Sequence, residues 1–589
     1  MEATSPKLTH SATEPLFRPS TKLIGYCLLI GLFGGLAAVA FDWAVHFSEQ
    51  YLLVALGHYI PPASGTLTPS VPPHPIHWAR LWIPFVTTLG GLLSGFIVYT
   101  WAPEAEGHGT DAAIAVYHKK AGSIRPRVPL VKGIASALTI GSGGVAGKEG
   151  PTAQISVGIA AMLARVLNVR GQERRALLLA GMAAGLAAIF RAPLGMAIFA
   201  VEILYSEMVF ESEALIYTVI AAVTAYAVHG IFVGWENVFS MPVDFSFDHP
   251  ASLAGFALLG LLAGLLGAVM PTIFYGMRDL FRRLPGPPHL RPALGGLMVG
   301  LASMWAPEIL GTGYGWIQLA LVGKLSLVTV VIVMLLKGPG LAATVGSGGS
   351  GGVFAPSLAI GAMLGSAVGL AAHALIPGLT MPHAAFVVVG MAAVFAGCAR
   401  VPISTLIMVA EMTGGYGLIV PAMLANMLAF MVQRSLTKRA KYPTLYESQV
   451  KGKHESYLHR GVLVRRAVQM LESGAVDAEE LSLPKLVSLL RFGEPVRVSD
   501  ERWLMVTLEI EPGSAFAGRT IADTIGGISG STAVAVLRGD EMLTPRGPTR
   551  LEPGDQLLAI TSPASYEFLQ AFAKGDQEES GEARKEEGE

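Results

Sequence analysis

Charge is what this sequence lacks. Only 14% of its 589 residues are Asp, Glu, Lys or Arg, against roughly 25% in soluble domains, and not one occurs between Gly338 and Ala399. An ordinary soluble enzyme of this length is excluded. Cysteine is nearly absent: Cys27 and Cys398 both sit in apolar runs, which excludes a disulfide framework and a cysteine-based metal cluster. Excess charge of either sign is missing too. The net charge of −1 points to neither nucleic acid nor an acidic partner.

What is abundant is apolar sequence, 52% of the chain, with 69 glycines and 37 prolines. Leu23–Phe41, Leu81–Ala102, Ala214–Trp235, Ala251–Met277 and Met412–Gln433 are each long enough to cross a bilayer, which takes about 20 residues. Shorter pieces such as Ala176–Ile189 and Leu325–Leu336 are broken by Gly, Pro or a charge. Interrupted segments are tolerated at membrane depth only where protein or a cavity surrounds them, so the pattern predicts a polytopic transporter or channel. Residues 1–20 read as a polar cytoplasmic tail without signal-peptide layout. Basic clusters at Lys119–Arg127, Arg278–Arg291 and Lys438–Arg466 place the C-terminus in the cytoplasm by the positive-inside tendency. A helical linker is expected over 451–499, with helices at Leu463–Ser473 and Leu483–Arg491. Strands are expected at Met505–Ile510, Thr532–Leu537 and Gln556–Ile560, separated by Glu511-Pro512-Gly513, Gly539-Asp540 and Glu552-Pro553-Gly554-Asp555. They form a small α/β module over 500–573, followed by a disordered acidic tail, 574–589.

Three segments recur in the same order. Trp101-Ala102-Pro103-Glu104 with Gly107-His108-Gly109 returns as Trp305-Ala306-Pro307-Glu308 with Gly311-Thr312-Gly313. Gly141-Ser142-Gly143-Gly144 with Gly147 and Pro151 returns as Gly346-Ser347-Gly348-Gly349 with Gly352 and Pro356. Gly181-Met182-Ala183-Ala184 with Arg191, Pro193 and Glu202 returns as Gly390-Met391-Ala392-Ala393 with Arg400, Pro402 and Glu411. The membrane region is therefore two homologous halves, about 20–235 and 250–440. Matching interrupted segments in two halves point to a midplane site at the repeat interface. Here each is a glycine-rich turn ahead of a helix with Pro in its first turn. Such an element offers free N–H groups and the positive end of a helix dipole, and two converging in low dielectric bind an anion. A turn that only packs helices is the alternative for a single copy; repetition in both halves favours the site.

At these residues the chain resembles the CLC family of chloride channels and chloride/proton antiporters, over roughly 20–450. Gly147-Lys148-Glu149-Gly150-Pro151 is similar to the family's G(K/R)EGP, and Gly352-Val353-Phe354-Ala355-Pro356 to its GxFxP. Gly107-His108-Gly109-Thr110-Asp111 stands at its GSGIP position, and Pro443-Thr444-Leu445-Tyr446 where it carries a coordinating tyrosine. The resemblance implies an all-α, inverted-repeat membrane domain over 21–450. It also implies a homodimer with one anion pathway per subunit, in an inner (plasma) membrane. Chloride is the substrate, and neither a catalytic residue nor a metal is expected. The implied anion site is drawn from His108, Gly109, Lys148, Glu149, Gly150, Val353, Phe354 and Tyr446, with Glu149 as the gate. An intramembrane carboxylate is a functional candidate by default; an inert helix-start carboxylate is its alternative.

Two departures stand out. The family's central serine is His108 and its following proline is Asp111. Either His108 donates to the anion, making the site pH-sensitive, or it turns aside, packed by Asp111 or another carboxylate. Ile203 occupies the position of the internal proton-relaying glutamate, which tilts the reading from antiporter to passive channel. Glu202 is either a substitute or, with its repeat mate Glu411, a cap on buried backbone donors. Residues 500–573 resemble the TrkA-C (RCK C-terminal) regulatory domain, carried by Val506–Gly518, Ala533–Gly539, Pro545-Arg546-Gly547 and Leu551–Asp555. This implies dimerisation, a bacterial source, and either a small ligand such as cyclic di-AMP or a ligand-free clamp. It also raises potassium transport as a second alternative, against which the pore segments speak, since they offer N–H groups rather than a carbonyl ring. Gly147-Lys148 lacks the remaining residues of a P-loop, and Thr312-Gly313-Tyr314-Gly315 falls one residue short of a potassium filter.

Overall fold

In the computed structural model of the chain, the described residues are 21–70, 81–118, 122–169, 171–242, 250–375 and 381–451 in the membrane region. In the C-terminal region they are 496–498, 503–511, 513–528, 530–538, 541–543 and 545–574. The expected N-terminal tail, the helices at Leu463–Ser473 and Leu483–Arg491 and residues 575–589 lie outside them. The chain divides into two compact units after Lys451.

With no water to bond backbone groups in hydrocarbon, the apolar runs become helices. The first half holds α1 (Thr21–Glu49), α2 (Trp82–Trp101), α3 (Thr110–His118), α4 (Arg127–Gly141), α5 (Glu149–Val166), α6 (Gly171–Phe190), α7 (Pro193–Glu202) and α8 (Leu215–Val233). The second repeats them as α9 (Leu253–Arg283), α10 (Arg291–Ser303), α11 (Tyr314–Leu321), α12 (Leu327–Gly346), α13 (Phe354–Leu375), α14 (His383–Ala399), α15 (Pro402–Thr413) and α16 (Ile419–Thr437). Seven of the described helical stretches are long and apolar enough to cross a membrane. The expected span Met412–Gln433 is corrected: α15 ends at Thr413, Gly414 turns left-handed (φ 71°), and α16 starts only at Ile419. The glycine pair breaks a hydropathy run that composition alone reads as continuous.

Packing repeats with the sequence. In lipid, helices associate where small residues let backbones approach. Gly31 and Gly35 on α1 leave room for α8: a Cβ there would lie 2.7 Å from the Ala221 carbonyl and 2.9 Å from that of Ala225. Gly260 and Gly264 on α9 do the same against α16, at 2.7 Å from Ala425 and 2.9 Å from Ala429. Helices α7 and α15 both open on proline, each two residues after an arginine in left-handed conformation, Arg191 (φ 53°) and Arg400 (φ 58°).

The C-terminal unit is a five-stranded antiparallel sheet with a helix. Its strands are β1 (Val496–Val498), β2 (Trp503–Glu509), β3 (Ser531–Arg538), β4 (Glu541–Leu543) and β5 (Gln556–Thr561), in the order β1-β2-β5-β3-β4. Alternate residues Leu504, Val506 and Leu508 face a core shared with Leu557, Ala559, Phe516 and Leu551. Helix α17 (Pro563–Lys574) adds Leu569 and Ala573 from one face. Gly513 (φ 88°) and Gly554 (φ 90°) fall in the two expected turns that can be described; Gly539-Asp540 lies outside the described residues. The turn after Leu551 is held by Asp555, 1% exposed. Its carboxylate accepts a two-pronged bond from Arg538 (2.9 and 2.9 Å) and the Glu552 N–H (2.8 Å). Arg538 is itself about a third exposed, so its loss removes charge-assisted bonds from a carboxylate that keeps the Glu552 N–H. Arg538→Ala is therefore expected to destabilise this unit by about 1–2 kcal/mol, read as faster amide exchange across residues 503–561 of the full-length protein.

Candidate functional site

The two glycine-rich turns meet. Gly147 N–H donates to Gly352 O (2.7 Å) and Gly352 N–H to Gly147 O (2.6 Å), an antiparallel pair made by one residue from each half. A second tie runs from Gly107 N–H to Gly349 O (3.0 Å) and from Gly351 N–H to Gly107 O (3.3 Å). These bonds bring the N-termini of α5 and α13 together with the loop that opens α3. Side chains would not fit there: a Cβ on Gly150 would fall 1.9 Å from His108 O, and one on Gly109 2.4 Å from Gly150 O. Gly109 also needs its left-handed φ of 79°. The start of α13 is fixed from below by Phe354, whose ring packs on Phe395 (3.8 Å), Phe190 (4.5 Å) and Phe199 (5.5 Å) between centroids.

Glu149, fully buried, opens α5 and folds its carboxylate back over Gly147, beside the Ala355 N–H of α13. One oxygen accepts from the Tyr314 hydroxyl at the start of α11; the other has no hydrogen-bond partner by geometry. Tyr314 escaped the sequence reading because its motif was weighed only as a cation filter. Its place in the second copy of the Gly107–Thr110 loop was the signal that could have found it.

Tyr446 lies beyond α16 in a segment without helix or strand. Its ring, 1% exposed, stands 5.3 Å from that of His108. Its hydroxyl is buried without a hydrogen-bond partner among the described residues. His108 is 6% exposed, edge-on to Phe274 (5.8 Å), and its Nδ1 accepts a long bond from the Asp111 N–H (3.4 Å). Packing of His108 by the Asp111 carboxylate is not what the structure shows. Both oxygens of that carboxylate take Ser448 instead, one its N–H and the other its hydroxyl, at 2.7 Å each.

Lys148 is also corrected as an anion ligand. Its side chain leaves the turn to pair with Asp42 of α1, because a carboxylate on the adjacent helix is the nearer compensation for its charge. Ile203 is fully buried. Glu202, fully buried, accepts the N–H groups of Ile403 (3.1 Å) and Ser404 (2.8 Å) and the Ser404 hydroxyl, at the start of α15. Glu411 accepts the N–H groups of Leu194 (3.1 Å) and Gly195 (2.8 Å), at the start of α7. Each half thus caps a helix of the other.

Two buried lysines were missed. Lys132 donates to Ala105 O (3.0 Å) and Gly107 O (2.7 Å), and Lys337 to Ile309 O (2.9 Å) and Gly311 O (3.3 Å). They hold the loops that open α3 and α11, and they stand 205 positions apart, the offset of the glycine turns. Below His108 a cavity of about 270 Å³ is lined by Gly107, Asp111, Tyr275, Arg278 and Glu447, among others. Arg278 forks onto Glu447 (2.5 and 3.2 Å) and holds its carboxyl below the usual carboxylate range. The paired starts of α5 and α13, the His108 loop and the adjacent Tyr446 ring thus gather helix-start N–H groups, a tyrosine hydroxyl and an imidazole in one largely buried region, groups of the kind that bind small anions.

Comparison with known proteins agrees with this geometry. The sequence model described as "Voltage gated chloride channel" matches residues 90–434, and the TrkA-C domain model matches 505–573. A ClcB-like protein of Ralstonia nicotianae, named provisionally as a chloride channel, is 34% identical over 68% of this chain and 91% of its own length. The H⁺/Cl⁻ exchange transporter ClcA of Vibrio campbellii is 31% identical over 72% and 88%. In fold, the chain is similar to the crystal structure of a slow cyanobacterial Cl⁻/H⁺ antiporter, at TM-score 0.64 and 24% identity over 73% of this chain and 97% of that one.

Lys337→Met leaves Ile309 O without the Lys337 donor, and an unsatisfied buried acceptor costs about 1–3 kcal/mol. Lys132→Met costs less, because Gly107 O keeps the Gly351 N–H and Ala105 O keeps the Ser350 hydroxyl. Each substitution is expected to lower the thermal unfolding midpoint of the detergent-solubilised protein, Lys337→Met by several degrees; an unmoved midpoint would make these lysines bystanders.

Proposed function

The chain belongs to the voltage-gated chloride channel (CLC) family, and from that premise we propose that it conducts chloride passively across a bacterial plasma membrane. There is one pathway in each subunit of a homodimer, and both termini are cytoplasmic. The observation that carries this reading is the pairing of Gly147 with Gly352, which aims the starts of α5 and α13 at one buried spot. The anion sits there between the N–H groups of Gly150, Val353 and Phe354 and the Tyr446 hydroxyl. With Nδ1 of His108 accepting from Asp111, the neutral ring carries its proton on Nε2 and donates to the anion from there.

Glu149 is the gate. Its carboxylate occupies an anion's place over the α13 N-terminus and, once protonated, loses its attraction to the N–H groups and the dipole and swings out. Tyr314 favours the closed carboxylate by donating to it. Passive conduction is supported by the inner half of the path. Isoleucine at 203 cannot carry a proton, and the neighbouring Glu202 is spent on the α15 start. Proton-coupled exchange is the second reading, favoured by the relatives named as H⁺/Cl⁻ exchangers. Residues 505–573 serve as a regulatory module, and a small nucleotide such as cyclic di-AMP is the ligand class we assign to it. A ligand there biases the pore only through unequal affinity for its states.

In liposomes under opposed Cl⁻ and H⁺ gradients, the reversal potential is expected to follow chloride alone, with K⁺ excluded. A reversal potential displaced by the proton gradient would make the protein an antiporter, and a cation-selective one would end the anion reading. Glu149→Gln is expected to raise chloride flux at neutral pH several-fold and to flatten its dependence on pH. The same flux and pH response as the parent would remove Glu149 from the gate.

A further inference from the structure

The two departures from the family pattern, His108 and Asp111, answer one another. A proline at 111 has no N–H, so it could not donate to a histidine three residues earlier; the aspartate does, from backbone N to His108 Nδ1 (3.4 Å). The same residue reaches the other wall of the site. Its carboxylate grips both the N–H and the hydroxyl of Ser448, two residues beyond Tyr446. An acidic residue in the first turn of a helix is ordinary; one whose two oxygens both leave its own helix for a remote segment is not explained by the dipole.

That remote segment depends on such contacts. Residues 438–451 form no helix or strand yet run partly buried, so their polar groups rely on neighbours. Leu445 N–H bonds Cys398 O (3.0 Å), Tyr275 hydroxyl bonds Leu445 O (2.8 Å), and Gln449 bonds Ile203 O (2.9 Å) and Ala399 O (3.1 Å). Between those anchors, Asp111 ties the Tyr446 segment to the His108 loop through Ser448 and His108 Nδ1. We propose that Asp111 is a positioning residue that clamps His108 and Tyr446 at a fixed separation, and so sets which anions pass between them. The inference rests on the anion reading above for its selectivity consequence, though the clamp itself is a matter of geometry.

The test is the nitrate-to-chloride permeability ratio of the full-length protein in liposomes under bi-ionic conditions. Asp111→Pro removes both arms of the clamp, and the first turn of a helix tolerates proline. It is expected to shift the ratio at least threefold, and Ser448→Ala to give part of that shift in the same direction. Asp111→Pro combined with His108→Ser should shift it by less than the product of the single effects, since each single change breaks the same contact. Asp111→Asn, which keeps the N–H, should match Ser448→Ala and serves if the proline variant does not fold. The shift should persist in a Glu149→Gln background, which separates the clamp from the gate. An unchanged ratio in folded Asp111→Pro or Asp111→Asn, or effects that simply multiply, would overturn the proposal. If the parent protein passes no anion, the transport reading fails. Amide exchange at residues 445–450 then decides the clamp: acceleration in Asp111→Asn supports it, and no change refutes it.

Discussion

A backbone amide at membrane depth must find a partner or face a ligand, and the centre of this protein is arranged around that constraint. Among the described helices, α3, α5, α11 and α13 begin at buried residues and α7 and α15 begin against the other half, and each beginning leaves N–H groups that water would otherwise serve. The starts of α7 and α15 are closed by glutamates. Those of α5 and α13 are drawn together by the Gly147–Gly352 pair, with the Glu149 carboxylate folded back beside the α13 start; in the function proposed above, a small anion takes that place. Selective closure of some helix starts and exposure of others is enough to define where a charge can rest.

The pseudo-symmetry is physical as well as historical. Two lysines hold two carbonyl pairs, two glutamates close two helix starts, and two glycine ladders admit two neighbouring helices at matching distances. Function breaks the symmetry in a few places. Glu149 corresponds to Phe354's turn, where no carboxylate stands, and Thr110 corresponds to Tyr314, whose hydroxyl reaches across to Glu149.

Most helices, the repeat and the strands β2, β3 and β5 were legible because hydropathy, glycine turns and alternation are local signals; β4, and β1 inside the stretch expected to be a helical linker, are three-residue strands too short to show alternation. The swapped caps were half legible: the recurrence of Glu202 as Glu411 suggested capping, but which backbone each would meet depends on how the halves cross. Lys148 misled because its neighbour in sequence, Glu149, belongs to the site while its partner Asp42 lies more than a hundred residues away. Lys132 and Lys337 went unnoticed although they obey the repeat offset, since an isolated lysine in an apolar run carries no motif. The repeat could have flagged Tyr314, but its bond to Glu149 and that of Asp111 to Ser448 needed three dimensions, since each joins segments far apart in the chain.

The exchanged glutamate caps have a consequence for biogenesis. When α7 leaves the ribosome, the carboxylate destined for its first turn, that of Glu411, is some two hundred residues from being synthesised. The leading half must therefore wait in the bilayer with bare amides, and it reaches its final form only once the trailing half is inserted beside it. A gene fragment encoding either half alone would yield a product unable to complete itself.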